Sequence, residues 1–152
     1  MNVILNSNQD GTKREDITLA ANQNFTTSGA GGGNCDGYLV KIVNNSGTAN
    51  FALPTATTDQ AIFILAQSDV SGNYVAAESP GLDDECRLQC SGTVVPGGYL
   101  ANNSAQYGTV YTPASGAGTF VCDWIAEEAA TGTAAAPVLV KARRIARYSV
   151  TF

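Results

Sequence analysis

No apolar run in this 152-residue chain is longer than Ala61-Ile62-Phe63-Ile64-Leu65-Ala66. That is the length of a strand, and far short of the ~20 residues a membrane-crossing helix needs. Turn residues close every such run. Tyr38–Val43 ends at Asn44-Asn45-Ser46-Gly47, Asn50–Leu53 ends at Pro54, and Tyr74–Ala77 lies between Ser71-Gly72-Asn73 and Pro80-Gly81. Glu85–Ser91 alternates, with Cys86, Leu88 and Cys90 on one face and Glu85, Arg87, Gln89 and Ser91 on the other, as a half-buried strand requires. A Gly-Thr-Val/Phe step recurs at Gly92, Gly108 and Gly118 and reads as a strand starting after a tight turn. Val138–Arg143 alternates again. Short strands with turns every ~8–12 residues predict an all-β fold, a small β-sandwich or barrel. One helix is conceivable, around residues 126–136, and Gly132 weakens it.

The first 35 residues are polar and poorly patterned. Lys13-Arg14-Glu15-Asp16 is a mixed charge cluster, Ile17–Ala20 suits a short strand, and Gly29-Ala30-Gly31-Gly32-Gly33-Asn34 reads as a flexible turn or hinge. The expected organisation is an extended N-terminal arm or hairpin over 1–35 and a β domain over 36–152. The glycine run is not a phosphate loop, because no Gly-Lys-Ser/Thr follows it. The first residues have no basic stretch of the signal-peptide kind, which points to a product made in the cytosol.

The chain has no histidine, which excludes the usual hydrolase triads and HExxH zinc sites. Its net charge of −5 and pI of 4.4 argue against nucleic acid as the main partner. Asp83-Asp84-Glu85 lacks the alternating spacing of a calcium loop and reads as solvated acids. Asp123 with Glu127 or Glu128 is a weak candidate for paired-carboxylate glycoside chemistry. Neither an enzyme nor a cofactor or metal site is expected. Cys35, Cys86, Cys90 and Cys122 read as buried free thiols, with one disulfide or a metal as the alternatives. Cys86 and Cys90 cannot bridge each other along a strand, where they lie ~13 Å apart.

Charged residues make up only 14% of the chain, against ~25% in an average soluble protein. Thr, Asn, Ser, Gly and Ala replace them, a composition suited to wet subunit contacts. Four of the eight basic residues, Lys141, Arg143, Arg144 and Arg147, sit in the last segment, where they suit docking to acidic groups of a neighbouring subunit. Trp124 and the tyrosines read as core or interface anchors.

The stretch Tyr74–Arg147 resembles the small capsid decoration (cement) proteins of tailed bacteriophages. The resemblance rests on Val75-Ala76-Ala77-Glu78-Ser79-Pro80-Gly81, Ser91-Gly92-Thr93-Val94-Val95, Trp124-Ile125-Ala126-Glu127-Glu128-Ala129 and the closing Val138–Arg143 strand. Trp124 stands where those proteins carry a glycine. The resemblance implies a non-enzymatic protein on the exterior of an icosahedral head, assembled in the host cytoplasm. It would sit at local three-fold positions as a homotrimer and clamp neighbouring major capsid protein subunits. It implies no direct nucleic-acid or membrane contact. The residues assigned to capsid or subunit contact are Lys13, Arg14 and Ile17 of the arm, together with Trp124, Lys141, Arg143, Arg144 and Arg147. The alternatives are a tail- or fibre-associated virion protein and a β-sandwich that binds a host-surface glycan.

Overall fold

The computed structural model describes residues 3–4, 14–114 and 118–151. They are all-β, with a single 3-10 turn over Ala30–Gly32. The first half holds β1 (Val3–Ile4), β2 (Arg14–Ala21), β3 (Leu39–Asn45), β4 (Thr48–Ala52), β5 (Phe63–Leu65) and β6 (Tyr74–Ser79). The second holds β7 (Glu85–Cys90), β8 (Thr93–Val94), β9 (Tyr99–Asn102), β10 (Val110–Tyr111), β11 (Thr119–Ala126), β12 (Ala130–Thr131) and β13 (Val138–Thr151). The Gly-Thr steps at Gly92, Gly108 and Gly118 do open strands β8, β10 and β11.

The two halves share one pairing scheme. In the second, β7 pairs in parallel with β10, and antiparallel ladders then link β10 to β9, β9 to β11, β11 to β13 and β13 back to β7, closing a barrel. In the first, β2 pairs in parallel with β4, and antiparallel ladders link β4 to β3, β3 to β5, β5 to β6 and β6 back to β2, with β1 added outside β2. Registers correspond as well. Ile64 and Leu65 face Glu78 and Ala77, as Ile125 and Ala126 face Arg143 and Ala142. Gly37-Tyr38-Leu39 and Gly98-Tyr99-Leu100 open the second strand of each ring, and Gly47-Thr48 and Gly108-Thr109 introduce the third.

Residues 14–35, read from sequence as part of an arm or hairpin, pair and pack with the first ring. Glu15–Ala20 of β2 form a continuous ladder with Tyr74–Ser79. Ile17 and Leu19 pack on a core containing Phe25, Cys35, Tyr38, Val40, Phe51, Leu65 and Val75. The glycine run, read as a flexible turn or hinge, forms a folded turn. Gly33 N donates to Ala30 O at 3.0 Å, and Ala30 N donates to the Tyr38 hydroxyl at 3.0 Å. A Cβ on Gly29 would lie 2.0 Å from Asn34 O, so the close backbone approach demands glycine. No helix forms over 126–136. Instead β12 pairs with β8, and Gly132 packs on the Cys90 carbonyl, where a Cβ would come within 2.1 Å.

The second core contains Cys86, Leu88, Cys90, Leu100, Val110, Trp124, Val140 and Ala142, and takes in Leu39, Ala61 and Ile64 from the first ring. This shared core joins the halves. At the seam Leu39 N donates to Gly108 O at 2.8 Å, and Gly108 has φ +90°.

Candidate interaction surface

β13 carries most of the residues expected to make contacts, and the structure divides them by face. Val140, Ala142 and Arg144 point inward and are buried, while Leu139, Lys141 and Arg143 alternate with them. The strand runs past its ladder with β7, which ends at Arg143, and continues against β11 to Thr151.

The outward basic residues are paired within the chain. Lys141 Nζ lies 3.1 Å from Glu85 and 3.6 Å from Glu127, and Arg143 Nε donates to Glu127 at 2.5 Å. Arg143 also reaches Glu85 at 3.6 Å, and Arg87 meets Glu128 at 3.3 Å. The register explains the grid, since Lys141 lies opposite Arg87 and Arg143 opposite Glu85. The Lys141 hydrogen bond holds the Glu85 carboxyl below its usual pKa, and the same bond raises that of Lys141. Lys141 and Arg143, expected from sequence at a capsid or subunit contact, have their charges met within their own chain.

The inward phase ends in a buried charge at a bulge. Between Cys122 (opposite Tyr148) and Trp124 (opposite Arg144) the β11–β13 register shifts, and Asp123 occupies the irregularity. Arg144 Nη1 and Arg147 Nε each lie 3.7 Å from Asp123 Oδ1, beyond hydrogen-bond length. Arg144 Nη1 donates to the carbonyls of Asp123 (3.2 Å) and Ile145. Its guanidinium sits 5.7 Å from the Trp124 ring centroid. Burial pushes the Asp123 carboxyl up despite the two arginines, and burial pushes Arg144 down.

Of the residues expected at contacts, Trp124, Arg144 and Arg147 thus come together around Asp123. Trp124 and Arg144 are buried at the bulge. Arg147 is exposed. Ile17 is half-buried against the first core, Arg14 stands opposite Ile4, and Lys13 lies outside the described residues. Asp123 itself was legible only as a weak paired acid. Its supposed partners, Glu127 and Glu128, bind the outward cations Arg143 and Arg87. Nor are the 83–85 acids all solvated. Asp84 is buried and accepts Gly81 N at 2.8 Å, and Glu85 joins the ion-pair grid.

All four cysteines are buried and unbridged. Burial first, then a neighbouring aspartate, raises Cys35 to about 12 and Cys122 to about 11. Such thiols are poor nucleophiles at neutral pH. On the surface, Tyr99 and Tyr148 stack across β11 with ring centroids 4.4 Å apart.

The molecule therefore defines a class: two all-β rings of one topology, joined through a shared core, with a charged bulge and an aromatic surface at one end. No protein family description matches the chain, and no curated protein does. Among solved structures it is similar to the head fiber gp8.5 N base of bacteriophage phi29. The two share a TM-score of 0.61 and 13% identity, over 86% of this chain and 93% of that one. At that identity the likeness is one of fold.

Proposed function

We propose that the chain is a non-enzymatic structural protein of a bacteriophage virion. It binds the outer surface of the head as a homo-oligomer and cements neighbouring major capsid protein subunits, after assembly in the host cytoplasm. The observation that carries this reading is the fold match to a phage head fiber base across nearly the whole of both chains. The interior agrees with a structural role, since the buried charged group around Asp123 is spent on holding a bulge. Binding through several weak contacts per copy would add by effective concentration on a repeating shell. A second reading, a base for a fibre on the head, is favoured by the same match to a head fiber protein. Mixing purified protein with expanded capsids tests both. Capsid binding with a higher capsid melting temperature supports cementing. Binding without a rise in melting temperature supports the fibre base, and no binding removes both.

A further inference from the structure

The bulge that β11 makes against β13 buries polar groups without partners. Asp123, Trp124 and Arg144 are 4%, 1% and 7% exposed. Among the described residues no hydrogen bond reaches Asp123 Oδ1, and neither Arg144 Nε nor Trp124 Nε1 donates one. Arg144 Nη1 is spent on the carbonyls of Asp123 and Ile145. The same Nη1 and Arg147 Nε each stop 3.7 Å from Asp123 Oδ1. The ladder opens at this place. Its pairs stop at Cys122 with Tyr148 and resume at Trp124 with Arg144, so Asp123 alone stands across from residues 145–147. A buried charge without a hydrogen bond is costly, and buried polar groups in folded proteins are bonded either to protein or to ordered water.

The unmet groups define what fits between them. Asp123 Oδ1 needs a donor, and Arg144 Nε needs an acceptor. A halide ion only accepts, and would lie against the carboxylate. A metal or ammonium ion cannot accept from a guanidinium, and would lie against two of them. Water both donates and accepts. Two atoms 3.7 Å apart, too far to bond directly, can each lie about 2.8 Å from one shared oxygen. We infer that a single buried water is built into the bulge, donating to Asp123 Oδ1 and accepting from the guanidiniums of Arg144 and Arg147. About three such bonds are the usual complement of an internal water. This water replaces the strand pairing that the register shift removes, and it ties the exposed Arg147 to a buried carboxylate. The site goes beyond the virion role proposed above and does not depend on it.

A crystal structure fine enough to show ordered water tests this on the wild-type protein. Density is expected about 2.8 Å from both Asp123 Oδ1 and a guanidinium nitrogen of Arg144 or Arg147. Direct carboxylate–guanidinium bonds with no water between them overturn the proposal. So does an anomalous peak at that position in crystals soaked in bromide, which would make the ligand an anion. In solution, oxygen-17 relaxation dispersion counts the waters held inside the protein. Asp123→Leu combined with Arg144→Met strips the site of its polar atoms, and the count should fall by one. Asp123→Asn keeps an acceptor oxygen, and the count should stay as in the wild type. A folded double variant that holds as many internal waters as the wild type overturns the proposal, and the crystal result stands by itself if that variant does not fold.

Discussion

Replacing Arg144 with methionine keeps much of the side-chain volume over Trp124 but strips Asp123 of its buried counter-charge. Breaking a buried pair from one side costs about 3–5 kcal/mol, because the remaining ion is left in a poor solvent. Asp123 has an escape, since it can bind a proton. Burial already raises its pKa, and Arg144 is the first of the two attractions that hold it down. Without Arg144 it rises further. A carboxyl whose folded pKa is raised stabilises the fold fully below its unfolded pKa, and loses that contribution as pH rises through the folded value. The cost of Arg144→Met is therefore greatest at neutral pH. It shrinks toward pH 4 by up to about 1.4 kcal/mol per unit while the variant holds a proton that the wild type does not. Urea unfolding at several pH values measures this, read from the midpoint at constant slope. Adding Asp123→Asn removes the orphaned charge and recovers at least half of the loss. A cost below about 1 kcal/mol at pH 7, or one equal at pH 7 and pH 4, would refute the assignment of Asp123 as a desolvated carboxylate held by Arg144.

Gly108→Ala places a Cβ at φ +90°, 2.9 Å from the Leu53 and Tyr38 side chains and 3.1 Å from Leu39 O, so urea unfolding should show a loss of about 2–4 kcal/mol. Gly132→Ala forces its new Cβ against the Cys90 carbonyl at 2.1 Å, and amide exchange should show the β8–β12 pair opening first. A thiol reagent should find no reactive cysteine in the native protein at pH 7 and four after unfolding; rapid native labelling would contradict their burial. Lys141→Ala should leave the unfolding midpoint almost unchanged at high salt, because the grid it leaves is exposed and screened.

The strands were legible where one face alternates cleanly. Cys86, Leu88 and Cys90 turn inward as their period of two requires. β13 was legible only to Arg143, because the next inward position is an arginine, and a charge on a strand reads as outward unless its partner is known. That partner, Asp123, lies 21 residues earlier, opposite a register shift that nothing in the local pattern announces. The place of β2 in the first ring hid in the same way. Ile17, Leu19 and Ala21 do alternate, but charges precede them and a glycine turn follows. Their ladder with Tyr74–Ser79 is a long-range pairing, so an integral strand resembles the root of an arm. For the glycines, sequence shows freedom and not crowding. Gly29 is glycine because Asn34 O lies too close for any Cβ.

The same distinction relocates the electrostatics of the surface. By composition, the last strand is a block of four cations and the natural docking site of an acidic protein. Pairing changes which cation is available. Lys141 and Arg143 are held by Glu85 and Glu127, groups that the period of two places beside them. Arg144 is buried under the bulge, where its guanidinium faces Asp123 and is out of reach of a partner's side chains. Only Arg147 stands outside, sharing with Arg144 a single carboxylate whose own ionisation burial opposes. An acid brought up to Arg147 would meet a guanidinium that Asp123, shared with Arg144, compensates only in part. Docking strength at this end should then fall with Arg147→Glu and hardly at all with Lys141→Ala. The number of positive residues in the segment is a poor guide to its binding, and the number lacking an internal partner is the quantity that matters.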